Sequence, residues 1–424
     1  MKVIVVSVAA WDRNNNFGKT FCDIFEGMED IEFLNIYCDN GKPNNSVNAK
    51  YFQITLNDIA KNLVNRKRKV GKIVDPDSAA TLSDKQKSAV KRIKSHHLRI
   101  FSWARRFLWW IGRWRTKELE QVIKDFDADF LFLPIFKNTY MNALQQYVLK
   151  VSGKKAVAYY GDDNYTLRQF SLNPFFWLDR FAERPKVKKT IEKCKYMYVV
   201  SDFEKAECER DFKKECFICT KGADFIDEPP IKKSYPQCKK LVYTGNLGNH
   251  RWEELLYIGK ALDEIDKGHK LFIYSGTPLT KKIEKKFNRV KSISFMGRVP
   301  VEEIPAIQED ADILVHAESF RLKERLLVHQ SFSTKIVDHF AHARCTFGVG
   351  GKDVAFIDYL IKKDAGFVAT TRKEIKPKLE ELLSNDALIE EYAIKGFNVG
   401  KELHSKTYIQ GMLKKDFKKY FGTL

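Results

Sequence analysis

The feature that most constrains this chain is an alternation that occurs twice. Short apolar runs, each closed by a turn rich in Gly, Asn, Asp or Ser, are followed by stretches with helical apolar spacing. In the first half the runs fall at residues 3–8, 31–37, 126–134, 156–160 and 196–201. In the second they fall at 240–244, 271–274, 293–297, 313–315, 346–349 and 365–369. Runs that are apolar throughout, rather than at every second position, have both faces covered, as in a parallel sheet flanked by helices. Strand–helix–strand succession makes the sheet parallel with right-handed crossovers. Between the two series lies Asp-Glu-Pro-Pro-Ile-Lys-Lys-Ser-Tyr-Pro at 227–236, whose prolines mark a linker. With 424 residues the chain is long enough for two cores. The predicted fold class is α/β with two Rossmann-like domains, over residues 1–228 and 236–400.

Open α/β sheets hold ligands at the carboxyl ends of their strands. Residues 11–20, WDRNNNFGKT, form such a turn after the first strand, and without a GxGxxG they do not indicate a dinucleotide. The richest stretch is 316–351. It opens with His316-Ala317-Glu318-Ser319, passes through a charged segment at 321–330 read as a loop, and reaches Ser331-Phe332-Ser333-Thr334-Lys335. A helical pattern follows, with Asp338 three residues past the lysine. Hydroxyls, unpaired N–H groups and a lysine at a helix start suit a diphosphate. An acid one turn along suits a ribose diol. Asp162, at the end of the run 156–160, faces the cleft to orient an acceptor hydroxyl or caps the next segment. Asp-x-Asp pairs at 127–129 and 310–312 sit before strands and read as turn chemistry, with no metal expected.

Lys and Arg number 74 against 55 Asp and Glu, a formal charge of +19, so an anionic partner is expected. Residues 61–117 interrupt the alternation. They hold Arg66-Lys67-Arg68-Lys69, then Lys85, Lys87, Lys91, Arg92 and Lys94, then a helix through residue 115. At about 100° per residue, Ile100, Phe101, Ala104, Phe107, Leu108, Ile111 and Trp114 share a face, flanked by Trp103 and Trp110 and then by Arg99, Arg106 and Arg113. That pattern predicts an in-plane helix on an anionic bilayer, each near-surface cation adding roughly 1 kcal/mol. Aromatics on a helix face with no recognisable nucleic-acid module argue against RNA or DNA. Cys216 and Cys219 form a lone CxxC, predicted to lie in or beside a strand rather than on zinc. The first residues enter a strand directly, with no leader and no apolar run of membrane-spanning length, so a cytoplasmic, peripheral protein is expected.

Gly245-Asn246-Leu247, Met296-Gly297-Arg298-Val299-Pro300, His316-Ala317-Glu318-Ser319 and Ser333-Thr334-Lys335-Ile336-Val337-Asp338, in that order, resemble the donor half of GT-B glycosyltransferases. They are most similar to glycosyltransferase family 4 and related capsule or O-antigen enzymes. Asn16–Thr20 and the loop Thr220–Asp224 resemble that group's first-domain loops. The resemblance implies a cleft between domains and a C-terminal helix, 401–424, crossing back to the first domain. It implies a nucleotide-diphosphate sugar of UDP or GDP type as donor, no cofactor, retention of configuration, and a polyprenyl-diphosphate-linked glycan as acceptor. By resemblance, Gly245 admits the diphosphate and Arg298 and Val299 lie near the base. Ser333, Thr334 and Lys335 hold the diphosphate, Asp338 the ribose, and Glu318 the donor sugar. Two departures stand out. Glu318 and Asp338 are 338 − 318 = 20 positions apart, farther than the family's acid pair, and position 330 is Gln. Either 321–330 is an insertion or Glu318 is not the first acid. Asn246 replaces the usual basic residue, for which Arg251, or Lys323 and Arg325, are the substitutes. A polyol-phosphate transferase with a CDP-linked donor and a non-catalytic basic scaffold are the alternatives.

Overall fold

The computed structural model describes residues 1–13, 16–76 and 98–422, without the side chains of 16, 17 and 98–102. The lysines and arginine expected at 85–94 lie outside the described residues. Two sheets form among those described. The first has the order β4-β3-β2-β1-β5-β6-β7-β8. Its strands are β1 Lys2–Ser7, β2 Glu32–Tyr37, β3 Ala49–Gln53, β4 Lys72–Val74, β5 Phe130–Pro134, β6 Ala156–Tyr160, β7 Cys194–Val199 and β8 Cys216–Ile218. All pair in parallel except the edge strand β4, antiparallel to β3. The second has the order β11-β10-β9-β12-β13-β14 and is parallel throughout. Its strands are β9 Lys240–Thr244, β10 Lys270–Tyr274, β11 Ile293–Gly297, β12 Ile313–Ala317, β13 Cys345–Val349 and β14 Phe367–Ala369. The strand order reverses between β1 and β5 in one sheet and between β9 and β12 in the other. Each reversal leaves a crevice at the strands' carboxyl ends, where the helices run off to opposite faces.

The apolar runs are buried on both faces, as expected of parallel strands. Residues Ile4 and Val6 of β1 face one core of the first sheet, and Val3 and Val5 face the other. The Asp-x-Asp segments enter strands in the same way in both domains. Asp129 accepts the N–H of Lys2 at 2.7 Å, and Asp312 accepts that of Lys240 at 2.7 Å. Each carboxylate thus starts the strand that pairs beside its own.

After β14 the helices Arg372–Leu383 and Asp386–His404 cover the second sheet. The last helix, Lys406–Phe421, crosses back to the first. Phe421 stacks on Phe130 of β5 at 4.2 Å, and Tyr420 packs on Tyr196 of β7 at 4.3 Å. At the crossing, Ala223 and Ser405 form a parallel bridge: Ala223 N–H donates to His404 O and Lys406 N–H to Ala223 O, both at 2.9 Å. His404 is buried there, its Nδ1 2.7 Å from the Thr220 hydroxyl and its Nε2 2.7 Å from Tyr359 Oη.

Three corrections concern the elements. Strands β3, β4 and β8 join the expected set, and Cys216 does lie in a strand. Residues 321–330 are not a loop: Leu322–Val328 is a helix. The helix Leu98–Ile111 is turned from the expected face. Trp109, not Phe107, is its buried aromatic, stacked on Tyr140 at 5.0 Å, and Trp114 is only 2% exposed against Trp109 and Tyr147. Among the described residues, no helix is long and apolar enough to cross a membrane.

Candidate functional site at the β9/β12 crevice

The segments leaving β9 and β12 build the crevice of the second sheet. After β9 the chain turns at Gly245, where an added Cβ would lie 2.8 Å from Tyr243 Oη and 3.0 Å from Lys335 Nζ. The turn closes through Asn246, whose Oδ1 accepts Gly248 N–H and whose carbonyl accepts the Tyr243 hydroxyl at 2.7 Å. Asn246 is therefore spent on the turn. Asn249 and His250, both left-handed, then aim the helix Arg251–Ile265. Its first residue, Arg251, reaches the chain leaving β12 and grips Glu318 with two bonds, Nε–Oε2 at 2.8 Å and Nη2–Oε1 at 2.7 Å. Such a planar two-point pair fixes both groups. Glu318 is 5% exposed, and burial raises its carboxyl pKa against the opposing charges of Arg251 and Lys335.

Lys335 opens the two-turn helix Lys335–Ala341 and points back to Gly245. Among the described residues its ammonium has no hydrogen-bond or ion-pair partner. Burial lowers its pKa, as does Arg251, while Glu318 and Asp338 work the other way. His316, at the end of β12, is buried with its Nε2 3.9 Å from Glu318 and unpartnered. Burial, then Lys335, His339 and Arg251, keep it neutral. The cluster therefore holds two cations against one carboxylate, leaving one positive charge desolvated and uncompensated. An anion with several oxygens is the complement such a site lacks.

Ser333 and Thr334 precede the lysine, half-buried. Thr334 has helical dihedrals and its hydroxyl makes no cap bond to the helix. Asp338, one turn along, contacts the ammonium of Lys221 from the loop after β8, which also lies 3.7 Å from Asp23. Lys221 thus ties the first domain to the second-domain helix. Nothing in the sequence singled it out beyond its place in the loop at 220–224. Arg298 and Val299 follow β11, two strands from β9; Arg298 is exposed and lies against Gly276. Asp162 belongs to the other sheet, exposed after β6. Protein around it raises its carboxyl pKa, with Lys137 opposing and Asp163 adding to the rise. Asp163 is the capping group there, bonded to Thr166 N–H at 2.8 Å and to Arg180 at 2.8 Å.

Gln330, at the position that departs from the family pattern, is buried away from this cluster. Its side-chain amide donates to Glu207, and Ser201 Oγ donates to its backbone carbonyl at 2.7 Å. His329 beside it stacks on Phe203 at 4.6 Å. Burial opposes the Glu207 carboxylate, but hydrogen bonds from His329, Arg168 and Gln330 prevail and hold its pKa at about 2. Glu318 stands within electrostatic reach of the lysine, and His329 and Gln330 join the end of this segment to the first domain. Of the basic residues considered for the role of the missing one, Arg251 pairs with Glu318 in the cluster, and Arg325 pairs with Asp353 instead.

No protein-family model matches the chain, and no curated protein matches its sequence. Its fold does match solved structures along nearly its whole length. Anabaena HepE, in complex with UDP, superposes with a TM-score of 0.64 at 10% identity, covering 99% of this chain and 100% of that one. Sucrose-phosphate synthase from Thermosynechococcus elongatus gives 0.63 at 9% identity, with 99% of both chains covered. A TarM variant from S. aureus, in complex with fondaparinux, alpha-GlcNAc-glycerol and UDP, gives 0.60 at 11% identity, covering 97% and 99%. At such identities the likeness establishes the architecture: the fold is that of GT-B glycosyltransferases.

Proposed function

We propose that this chain is a glycosyltransferase that takes a sugar from a nucleotide-diphosphate donor. One observation carries the reading: the uncompensated positive charge of Arg251 and Lys335 against Glu318, at the strand-order reversal of the second sheet. In this reading the diphosphate lies over Gly245, where the missing side chain lets the backbone approach, with Ser333 and Thr334 donating their free hydroxyls. Lys335 and Arg251 meet negative charge as it develops on the leaving diphosphate, and being already desolvated they need little reorganisation. These cations do the work that a metal does elsewhere. The ribose diol donates to Asp338 in competition with Lys221, and Arg298 and Val299 flank the base. Glu318 holds Arg251 and faces the donor sugar. Residues 1–228 form the acceptor domain with Asp162 at its cleft edge, 236–400 the donor domain, and 401–424 the returning segment. We assign a retaining reaction onto a polyprenyl-diphosphate-linked glycan in cell-surface polysaccharide synthesis, on the cytoplasmic face of a membrane.

The test is a thermal-shift panel with UDP, GDP and CDP, followed by transfer from labelled nucleotide sugars to lipid-linked acceptors. UDP or GDP should stabilise the chain and support transfer. Stabilisation by CDP alone moves the assignment to a polyol-phosphate transferase, and no shift with any nucleotide defeats the enzymatic reading.

A further inference from the structure

The described residues expose twenty-two large apolar side chains, and ten of them fall in two short segments, 103–111 and 167–181. The helices Leu98–Ile111 and Pro174–Glu192 carry most of them. On the first, Trp103, Phe107 and Trp110 lie at i, i+4 and i+7, one stripe of a helix. On the second, Phe175, Leu178 and Phe181 repeat every third residue. The stripes meet: the rings of Trp103 and Phe175 are 5.6 Å apart in an edge contact. Beneath, the junction is locked by polar groups. Trp103 Nε1 donates to Asp179 at 3.1 Å, and Arg106 pairs with Asp179 and with buried Glu183. Trp110 is 77% exposed and Leu178 61%.

From this geometry we infer that the two helices form one preassembled face that seats on an anionic bilayer. The occupant follows from the charge around the face. The acids at the junction, Asp179 and Glu183, are consumed by Arg106, so they do not offset the cations outside. The helix Leu56–Val64 packs against Leu98–Ile111, with Ile59 directly under Gly112. Its following loop, Arg-Lys-Arg-Lys at 66–69, is folded onto it by Asn62, which donates to Arg68 O at 2.6 Å. These four residues are exposed and none forms an ion pair among the described residues; the same holds for Arg113. An apolar strip with tryptophan at its edge and free cations beside it matches the depth profile of an anionic lipid surface, apolar inside and negative at the headgroups.

The face differs from the single helix expected on sequence grounds. Trp114 is buried and does not take part, Arg106 is a bracket rather than a lipid contact, and the second helix adds Phe175, Leu178 and Phe181 to the apolar face. The side chain of Arg99 is outside the described residues. The face also adjoins the proposed acceptor edge: Lys137 lies within electrostatic reach of both Glu183 and Asp162. Seating there presents Asp162 toward the membrane, a consequence that rests on the glycosyltransferase reading; the seating itself does not.

The test is co-sedimentation of the full chain with vesicles of phosphatidylcholine alone or mixed with phosphatidylglycerol. Binding is expected only with the anionic lipid, and it should fall at least tenfold in Trp110→Ser/Leu178→Ser and in Arg66→Gln/Arg68→Gln. Both substitution sets are at exposed positions. Unchanged thermal melting and an unchanged nucleotide-induced shift then separate lost seating from lost fold or lost donor binding. Absence of binding to anionic vesicles, or equal binding by the variants, overturns the inference. So does a concentration-dependent dimer, by light scattering, that the same substitutions abolish without any effect on vesicles.

Discussion

Replacing Lys335 by Met separates the ligand site from the core it is set in. The substitution keeps the length of the side chain and removes its charge. In the unliganded chain that charge is desolvated and has no partner among the described residues. Its folded pKa lies below the ordinary lysine value, so at neutral pH the charged form weakens the fold, an effect that fades as pH rises from the folded pKa to the unfolded one. The free variant should therefore be at least as stable as the wild type. With nucleotide diphosphate the order reverses. A charge-assisted contact of this kind contributes about 1.5–3 kcal/mol, or about one to two decades in Kd. At a ligand concentration where the wild type gains about 2.7 kcal/mol from binding, a tenfold weaker variant gains about 1.4 and a hundredfold weaker one about 0.4. Urea midpoints with and without UDP or GDP, and calorimetric titration, measure both halves. An undiminished ligand-induced gain in the variant would refute the diphosphate assignment. So would a free variant that unfolds early, since that makes Lys335 a structural residue.

Arg251→Met should behave oppositely, because it leaves Glu318 buried and unpaired, at a cost of about 3 kcal/mol at pH 7. Since the carboxyl is then raised further, part of the loss should return in mildly acidic urea titrations. Gly400→Ala sets a methyl 2.6 Å from the Phe225 ring and 2.7 Å from Phe340 Cβ; about 1–3 kcal/mol of stability should go, with nucleotide Kd unchanged in calorimetry. His404, buried and held neutral, has its pKa pushed down to about 4. A depressed histidine costs stability as pH falls from its unfolded value toward the folded one, here from about 6.5 to 4, by up to about 3 kcal/mol. The slope of unfolding free energy against pH in that window should flatten in His404→Gln.

The parallel strands were legible because both of their faces are buried, which writes an unbroken apolar run. Strand β3, Ala-Lys-Tyr-Phe-Gln, was not: it is short, and its lysine faces solvent near the sheet edge. The segment 322–328 hid its helix behind charge, since its Glu324 is buried against His250 from the turn after β9, and the later Gln330 against Glu207 of the first domain, rather than by their own apolar spacing. Trp114 read as surface for a related reason. Its partners, Trp109 and Tyr147, come from different elements, and periodicity on one helix cannot see them. At the site, the lysine and the acid a turn beyond it were legible from type and spacing alone. The grip of Arg251 on Glu318 was not, because it joins residues 67 positions apart across two strand ends. Nor was the contact of Lys221 with Asp338, which exists only once the two domains are folded together.

The chain passes between the sheets twice, through the segment after β8 and through His404–Lys406, and the Ala223–Ser405 bridge binds the two passages side by side. A body hung from one thread can swivel; hung from two threads knotted at one point, it can only swing. A relative motion of the sheets would therefore pivot at that knot, like a book opening about a spine that holds His404. Lys221 with Asp338, and Gln330 with Glu207, then act as clasps on its pages. Opening the book means releasing those clasps, while the spine, with its buried imidazole and paired backbone, stays bound.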